Sequence, residues 1–337
     1  MAGCLVILFL AFLSISGNAQ VSIDCGASET YTDENSLVWI GDDGFFKNSE
    51  SAVVRSNNTV SHVMSTLRVF TSLKKNCYTI RADKGSLVLV RASFFYGNYD
   101  KKSSPPSFLL LLDGNYWSTV KTTLDEPGIY EVMYVVKSDT ISICLAQTQP
   151  NQLPFISALE FRKLDSTIYA IVDPNYALFV RSRTAFGANL TVRFPDDVYD
   201  RIWVPGRNVS GRVPVASDAK LINVTTAPDN PPRKVLQNAI TNSSSSDSIT
   251  LNPSFHDHGD SVYMNLNLSS LDLSGPLPDF SSMDALVTID LHNNSLTGPI
   301  PDFLGALANL VDLNLADNSF SGLIPPSISS NKKLKLV

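Results

Sequence analysis

The sequence predicts a mainly β chain built in two styles: a sandwich of the jelly-roll kind, then a short solenoid of parallel strands. Three observations carry this. Short apolar strands recur between residues 21 and 165, with turn signals between them and no helical period. A 24-residue period governs residues 289–326. The chain opens on an apolar leader, and Asn-x-Ser/Thr sequons follow in both regions.

The sandwich strands are Cys77–Arg81, Leu87–Tyr96, Phe108–Leu112, Trp117–Thr122, Ile129–Val136, Thr140–Gln147 and Phe155–Phe161. Gly97-Asn98, Pro105-Pro106, Asp113-Gly114-Asn115, Pro127-Gly128 and Ser138-Asp139 separate them.

In the solenoid, Leu291 and Leu315, Asn294 and Asn318, Gly298 and Gly322, and Pro301 and Pro325 are each 24 residues apart. Alternating Leu or Ile makes a short strand with apolar side chains inward. The Asn closes the strand and can bond the backbone of neighbouring coils, and Gly turns the chain. This is a leucine-rich repeat. A degenerate earlier copy places Leu266, Leu268, Leu273, Gly275, Leu277 and Pro278 in register, with Leu271 where the Asn belongs. The Leu-x-Gly-x-Ile-Pro ending resembles the extracellular repeats of plant receptor kinases and receptor-like proteins.

The chain has 337 residues, enough for two domains, and a net charge of −6. That charge argues against nucleic acid or an anionic membrane surface as partner. Residues 4–13 are wholly apolar and Gly17-Asn18-Ala19 offers small residues for cleavage, although the first residues lack Lys and Arg. Residues 1–19 read as a secretory signal peptide, since a span needs about 20 apolar residues. No other stretch is long enough to cross a bilayer. Asn57, Asn189, Asn208, Asn223, Asn242, Asn267 and Asn293 stand in sequons. Secretion to the apoplast and N-glycosylation are expected. Cys25, Cys77 and Cys144 remain after cleavage. Strand parity puts Cys77 with Thr79 and Arg81, and Cys144 with Thr140 and Ser142, each on the more polar face. Cys77–Cys144 is the preferred disulfide; Cys25 paired with either, or three free thiols, stay open.

The residues then become recognisable. Ser22-Ile-Asp-Cys-Gly26, Asn76-Cys-Tyr-Thr-Ile80, Arg91-Ala-Ser-Phe-Phe-Tyr-Gly-Asn-Tyr-Asp100, Pro154-Phe-Ile-Ser-Ala-Leu-Glu160 and Pro195-Asp-Asp-Val-Tyr-Asp-Arg-Ile-Trp203 follow in order. The succession resembles the malectin-like ectodomain of plant leucine-rich-repeat receptor kinases, the group that includes symbiosis receptor kinases. The resemblance spans residues 21–240 and, with the repeats, reaches 326. It implies a malectin-like jelly-roll sandwich related to carbohydrate-binding modules. It also implies a plasma-membrane-anchored parent family with two lobes, repeats, a transmembrane helix and a kinase. Here residues 230–240 read as the start of a second lobe that breaks off into a Ser/Asn-rich linker. The expected organisation is a signal peptide (1–19), a sandwich (21–165), a partial second lobe and linker (166–260), and about two and a half to three repeats (261–337). On this reading the chain is a truncated receptor-kinase product; a genuine short secreted relative is the alternative. Residues 166–260 are expected to be the least well packed.

A sugar site on such a sandwich is an aromatic ring flanked by polar groups, because a pyranose packs its C–H face on a ring while its hydroxyls need partners. Tyr96, Tyr99, Asp100, Asn115, Tyr116 and Trp117 are the candidates, with core or edge packing of Tyr96 and Trp117 as the competing reading. Asp196, Asp197 and Asp200 lack the arrangement of a glycosidase pair and read as a salt-bridged turn between lobes. His256-Asp-His-Gly-Asp260 carries metal-ligand types but reads as a solvated linker. No nucleotide loop, kinase motif or nucleophile–His pattern is present, so neither a cofactor nor catalysis is expected. On the repeats, Thr288, Asp290, His292, Asp312 and Asn314 would project from the concave sheet toward a protein partner. The expected function is extracellular recognition of a cell-wall glycan or a signalling ligand. The alternative is a protein-interaction, decoy or co-receptor module for a receptor kinase or its peptide ligand.

Overall fold

The computed structural model describes residues 20–46, 49–55, 61–169, 175–180, 182–206, 212–218, 229–242, 264–270, 273–279, 281, 283 and 286–337. The chain divides into two units. One holds the described residues up to Arg183 together with Arg193–Ile202; the other holds Thr184–Val192 together with Trp203–Val337.

The first unit is a sandwich. Its strands are β1 (Val21–Asp24), β2 (Thr30–Thr32), β3 (Val38–Gly41), β4 (Glu50–Val53), β5 (Thr66–Val69), β6 (Lys75–Arg81), β7 (Leu87–Phe94), β8 (Ser107–Leu112), β9 (Asn115–Lys121), β10 (Gly128–Val135), β11 (Thr140–Gln147), β12 (Phe155–Ile156), β13 (Ala158–Lys163) and β14 (Leu178–Val180). One sheet runs β14-β10-β7-β13-β1-β3-β2, a second β6-β11-β8-β9, and a short third β12-β5-β4. Val90, Phe94, Val132 and Phe161 of the first sheet meet Phe108, Leu110, Ile141 and Ile143 of the second in one core. Going along the chain, β7 lies in the first sheet, β8 and β9 in the second, β10 in the first and β11 in the second. That alternation is the jelly-roll character read from the turn spacing.

The sequence-derived strands from Leu87 onward reappear within two residues at their ends, with one exception. Phe155–Phe161 is two strands. At Ser157 the chain leaves β5 as partner and takes up β1 and β7. Ser157 is fully buried and serves three groups at this corner: its N–H donates to Ser93 O, its carbonyl accepts from Cys25 N, and its hydroxyl accepts from Phe95 N. The strands β1–β5 had no sequence counterpart, being short and rich in polar residues.

Cys77 and Cys144 are direct cross-strand partners on β6 and β11, with sulfurs 2.15 Å apart, while Cys25 is buried as a free thiol. Non-reducing peptide mapping of the secreted protein is expected to give one Cys77–Cys144 linked species and an unmodified Cys25. A Cys25-containing crosslink would overturn that pairing.

In the second unit, β15 (Thr184–Ala185) pairs parallel with β16 (Val204–Pro205), and β17 (Arg212–Ala216) pairs antiparallel with β18 (Asn238–Asn242). These pairs lie in the predicted second lobe beyond Arg183, with a single helical turn at Arg233–Leu236 before β18; His256 and His258 lie outside the described residues. The repeats follow as two parallel ribbons. One runs β19 (Met264–Asn267), β21 (Leu286–Asp290), β23 (Asp312–Asn314) and β25 (Lys335–Leu336); the other runs β20 (Ser274–Gly275), β22 (Ser295–Pro299) and β24 (Ser319–Ser321). Leu286, Ile289, Leu291, Leu304, Leu313 and Leu315 fill the space between. The Asn ladder forms as the period predicts. Asn294 Nδ2 donates to Leu268 O at 2.8 Å in the preceding coil and to Leu291 O at 2.9 Å in its own; its Oδ1 accepts from Leu273 N at 2.9 Å. Asn318 repeats this on Leu291 O and Leu296 N. Gly298 and Gly322 turn the chain with φ of +83° and +82°, which a side chain would strain.

Candidate functional site

The six residues proposed as a sugar platform do not form one site. Tyr96 and Trp117 are core residues, 0 % and 4 % exposed. Tyr96 gives its hydroxyl to Asp100 Oδ1 and meets Tyr99 edge-on at 5.4 Å; Tyr99 in turn leans on Phe155 at 5.7 Å. This cluster closes the loop leading into β8, where Ser104 N donates to the Tyr96 hydroxyl. Asn115, Tyr116 and Trp117 lie past the other end of β8, a strand length of roughly 20 Å away at about 3.3 Å per residue. There Asn115 and Tyr116 are exposed, and the Tyr116 hydroxyl shares a hydrogen bond with Thr119 Oγ1. The physical reason for the correction is burial. A ring with no exposed face cannot stack on a sugar, so Tyr96 and Trp117 are core, and Tyr116 is the exposed ring of the set.

On the repeats, Thr288 pairs with Asp312 and Asp290 with Asn314 across β21 and β23. Thr288, His292, Asp312 and Asn314 are partly exposed. Asp290 is withdrawn, 4 % exposed, because its carboxylate accepts from His292 N and faces His292 Nδ1 at 2.8 Å. Of the sequon residues, Asn189 and Asn293 are exposed. Asn57, Asn208 and Asn223 lie outside the described residues, and so do the side chains of Asn242 and Asn267. Among the described residues no group of three or more His, Cys, Asp or Glu could hold a metal ion.

A further site was not foreseen. Because Val88, Val90, Ala92 and Phe94 of β7 face the core, Leu87, Leu89, Arg91 and Ser93 face the opposite side of the sheet. That outer face carries charges in its middle. Arg91 donates from Nε to Glu131 Oε1 at 2.6 Å and from Nη1 to Glu160 Oε2 at 2.8 Å; its Nη2 bonds the Asp200 carbonyl. Arg162 uses all three nitrogens, on Asp200, Val21 O, Phe161 O, Ser22 Oγ and Glu160. Arg193 holds both Asp200 oxygens and Glu160, and Arg183 pairs with Glu131. The acidic triplet resolves accordingly: Asp200 is the hub of this network, and Asp197 pairs with Arg201 at 2.8 Å. Burial alone would raise the carboxyl of Asp200, but the guanidiniums of Arg193, Arg162 and Arg91 outweigh it and hold the group well below the usual range. Glu131 is likewise lowered, with Arg91 and Arg183 outweighing its burial.

Beside this network a cavity of about 370 Å³ opens on the outer sheet face. Arg91 and Glu160, both nearly buried, form its floor with Arg193. Trp39, Val63, Met64, Ile129 and Ile202 wall it. The signal was available in the sequence. Arg91, Glu160, Asp200 and Arg201 stand inside the very motifs that carry the family resemblance, and charges in the middle of buried strands are rarely unpaired.

The family model for the malectin-like domain matches residues 23–274, and that for the leucine-rich repeat matches 285–307 and 309–331. The chain is 35 % identical over 236 residues to the Arabidopsis thaliana protein named Uncharacterized protein At1g24485, across 69 % of this chain and 47 % of that protein. It is 36 % identical over 230 residues to the Probable LRR receptor-like serine/threonine-protein kinase At1g05700 of the same plant, across 64 % of this chain and 26 % of that one. It thus spans about half the length of the first relative and about a quarter of the second. Among solved structures, the ANX2 ectodomain from Arabidopsis thaliana superposes with a TM-score of 0.55 at 18 % identity, over 65 % of this chain and 64 % of that one. A plant complex of the peptide RALF23 with FER and LLG2 gives 0.52 at 16 % identity, over 66 % and 63 %. At such identities the likeness is one of fold. No helix among the described residues is long and apolar enough to cross a membrane. With a family match over most of its length and the repeats following in register, the chain belongs to the malectin-like domain family, as a malectin-like domain joined to leucine-rich repeats.

Proposed function

We propose that this chain is an extracellular, receptor-like recognition module that takes a peptide ligand on the outer face of its seven-stranded sheet. The observation that carries this is the cavity of about 370 Å³ beside the buried charge network. Apolar walls around a few fixed polar groups are the usual form of a ligand site. The sugar platform has only Asn115 and Tyr116 exposed to support it. The complex of RALF23 with FER and LLG2 is a peptide-bearing assembly on the same fold, and a peptide is the partner type carried over here. Secretion through residues 1–19 and glycosylation at Asn189 and Asn293 belong to this reading. The positions Thr288, His292, Asp312 and Asn314 supply a second, weaker protein contact.

The test uses the protein secreted from a eukaryotic host, probed with fractionated extracellular peptides and a glycan array. Ile129→Asp puts a charge at the cavity on a half-exposed position, 48 % accessible. A peptide fraction is expected to raise the melting temperature of wild type and not of Ile129→Asp, with the array silent. A glycan signal that survives Ile129→Asp and vanishes in Tyr116→Ala would replace this reading with a hairpin sugar site.

A further inference from the structure

We infer that the outer-sheet cavity recognises a single carboxylate flanked by an aliphatic side chain, presented by an extracellular peptide; this rests on the reading above that the cavity is the ligand site. The first ground is charge. Among the described residues the network joins four guanidiniums, Arg91, Arg162, Arg183 and Arg193, to three carboxylates, Glu131, Glu160 and Asp200, one more positive than negative charge. An uncompensated charge held away from water is costly. Arg91, Arg162 and Arg183 are buried, whereas Arg193 is 22 % exposed and borders the cavity. Its Nε and Nη2 are engaged by Asp200 and Glu160, and its Nη1 donates to none of the described residues. Arg183 Nη2 is also without a partner among the described residues but is buried and does not line the cavity, so Arg193 Nη1 is the spare guanidinium donor that a ligand there can reach, and a carboxylate answers it through a charge-assisted hydrogen bond.

The second ground is the walls. Val63, Met64, Ile129 and Ile202 are aliphatic or thioether groups, suited to a branched side chain. Trp39 is almost wholly buried, its indole N–H given to Asp33, so it offers no face to a sugar ring. The volume is near the lower end of ligand pockets, about 300–1,000 Å³, which suits one or two residues rather than a long segment.

Calorimetric titration of the full secreted chain with N-acetyl-Ala-Leu-Ile as free acid, its carboxamide, and trigalacturonic acid tests this. The free acid is expected to bind, and the carboxamide to bind about tenfold to a hundredfold more weakly through loss of the charged hydrogen bond. Ile129→Asp is expected to weaken the free acid by at least about tenfold at unchanged melting temperature. Equal binding of acid and carboxamide, tighter binding of trigalacturonic acid, or no binding of the acid at millimolar concentration would each overturn the inference. If the tripeptide acid fails while the extracellular peptide fraction still depends on Ile129, the ligand class falls and the site stands. If neither responds to Ile129→Asp, the site itself falls.

Discussion

Asp200→Asn is expected to destabilise the sandwich by about 3–5 kcal/mol, the usual consequence of removing one partner from a buried ion network. Asp200 is wholly buried and accepts from Arg91, Arg162 and Arg193, and from Phe194 N at 3.3 Å. Asparagine keeps the volume but turns one acceptor into a donor that faces guanidinium groups, and it raises the excess positive charge among the described residues of the network from one to two. For a domain of this size the melting temperature should fall by roughly 10 °C. A change below about 1 kcal/mol, the scale of an exposed pair, would show that water reaches the network. The same carboxylates set an acid limit. Asp200 and Glu131 titrate lower in the folded chain than the roughly 3.9 and 4.3 of free side chains. Their stabilisation is therefore fully present above about pH 4 and is lost as pH falls through the lowered folded values. Urea midpoints measured from pH 7 down to pH 2 should drop chiefly below pH 4, and Asp200→Asn should flatten that drop.

Trp117→Ala is expected to cost about 3–5 kcal/mol, because it empties a large buried site between the sheets. Tyr116→Ala, one residue away and 55 % exposed, should change stability by no more than about 0.5 kcal/mol. Equilibrium denaturation separates the two. A Trp117→Ala protein as stable as wild type would mean that the ring is not part of the core. The contrast also decides how binding data are read: ligand loss in Trp117→Ala reports unfolding, whereas ligand loss in Tyr116→Ala reports contact.

The repeats were legible in the sequence because their contacts are local and recur. Asn294 and Asn318 bond coils 21 to 27 residues away, so one period states both the strand and its partner. The strands of the sandwich were legible for a related reason, since alternation reports a half-buried surface. The face on which a given ring is buried was not. Tyr96, Trp117 and Tyr116 read alike along the chain, yet two are interior and one is in solvent. Phe155–Phe161 looked like one strand because the alternation does not register the change of partner at Ser157.

What the sequence determined by itself was the β class, the repeat register and the family, each encoded in spacing along the chain. What only the tertiary structure decided was the site. Arg91 meets Glu160 and Asp200 across 69 and 109 residues. Charges that far apart in sequence are brought together by sheet pairing alone, and the cavity beside them exists only once β3, β7, β10 and β13 lie in one sheet.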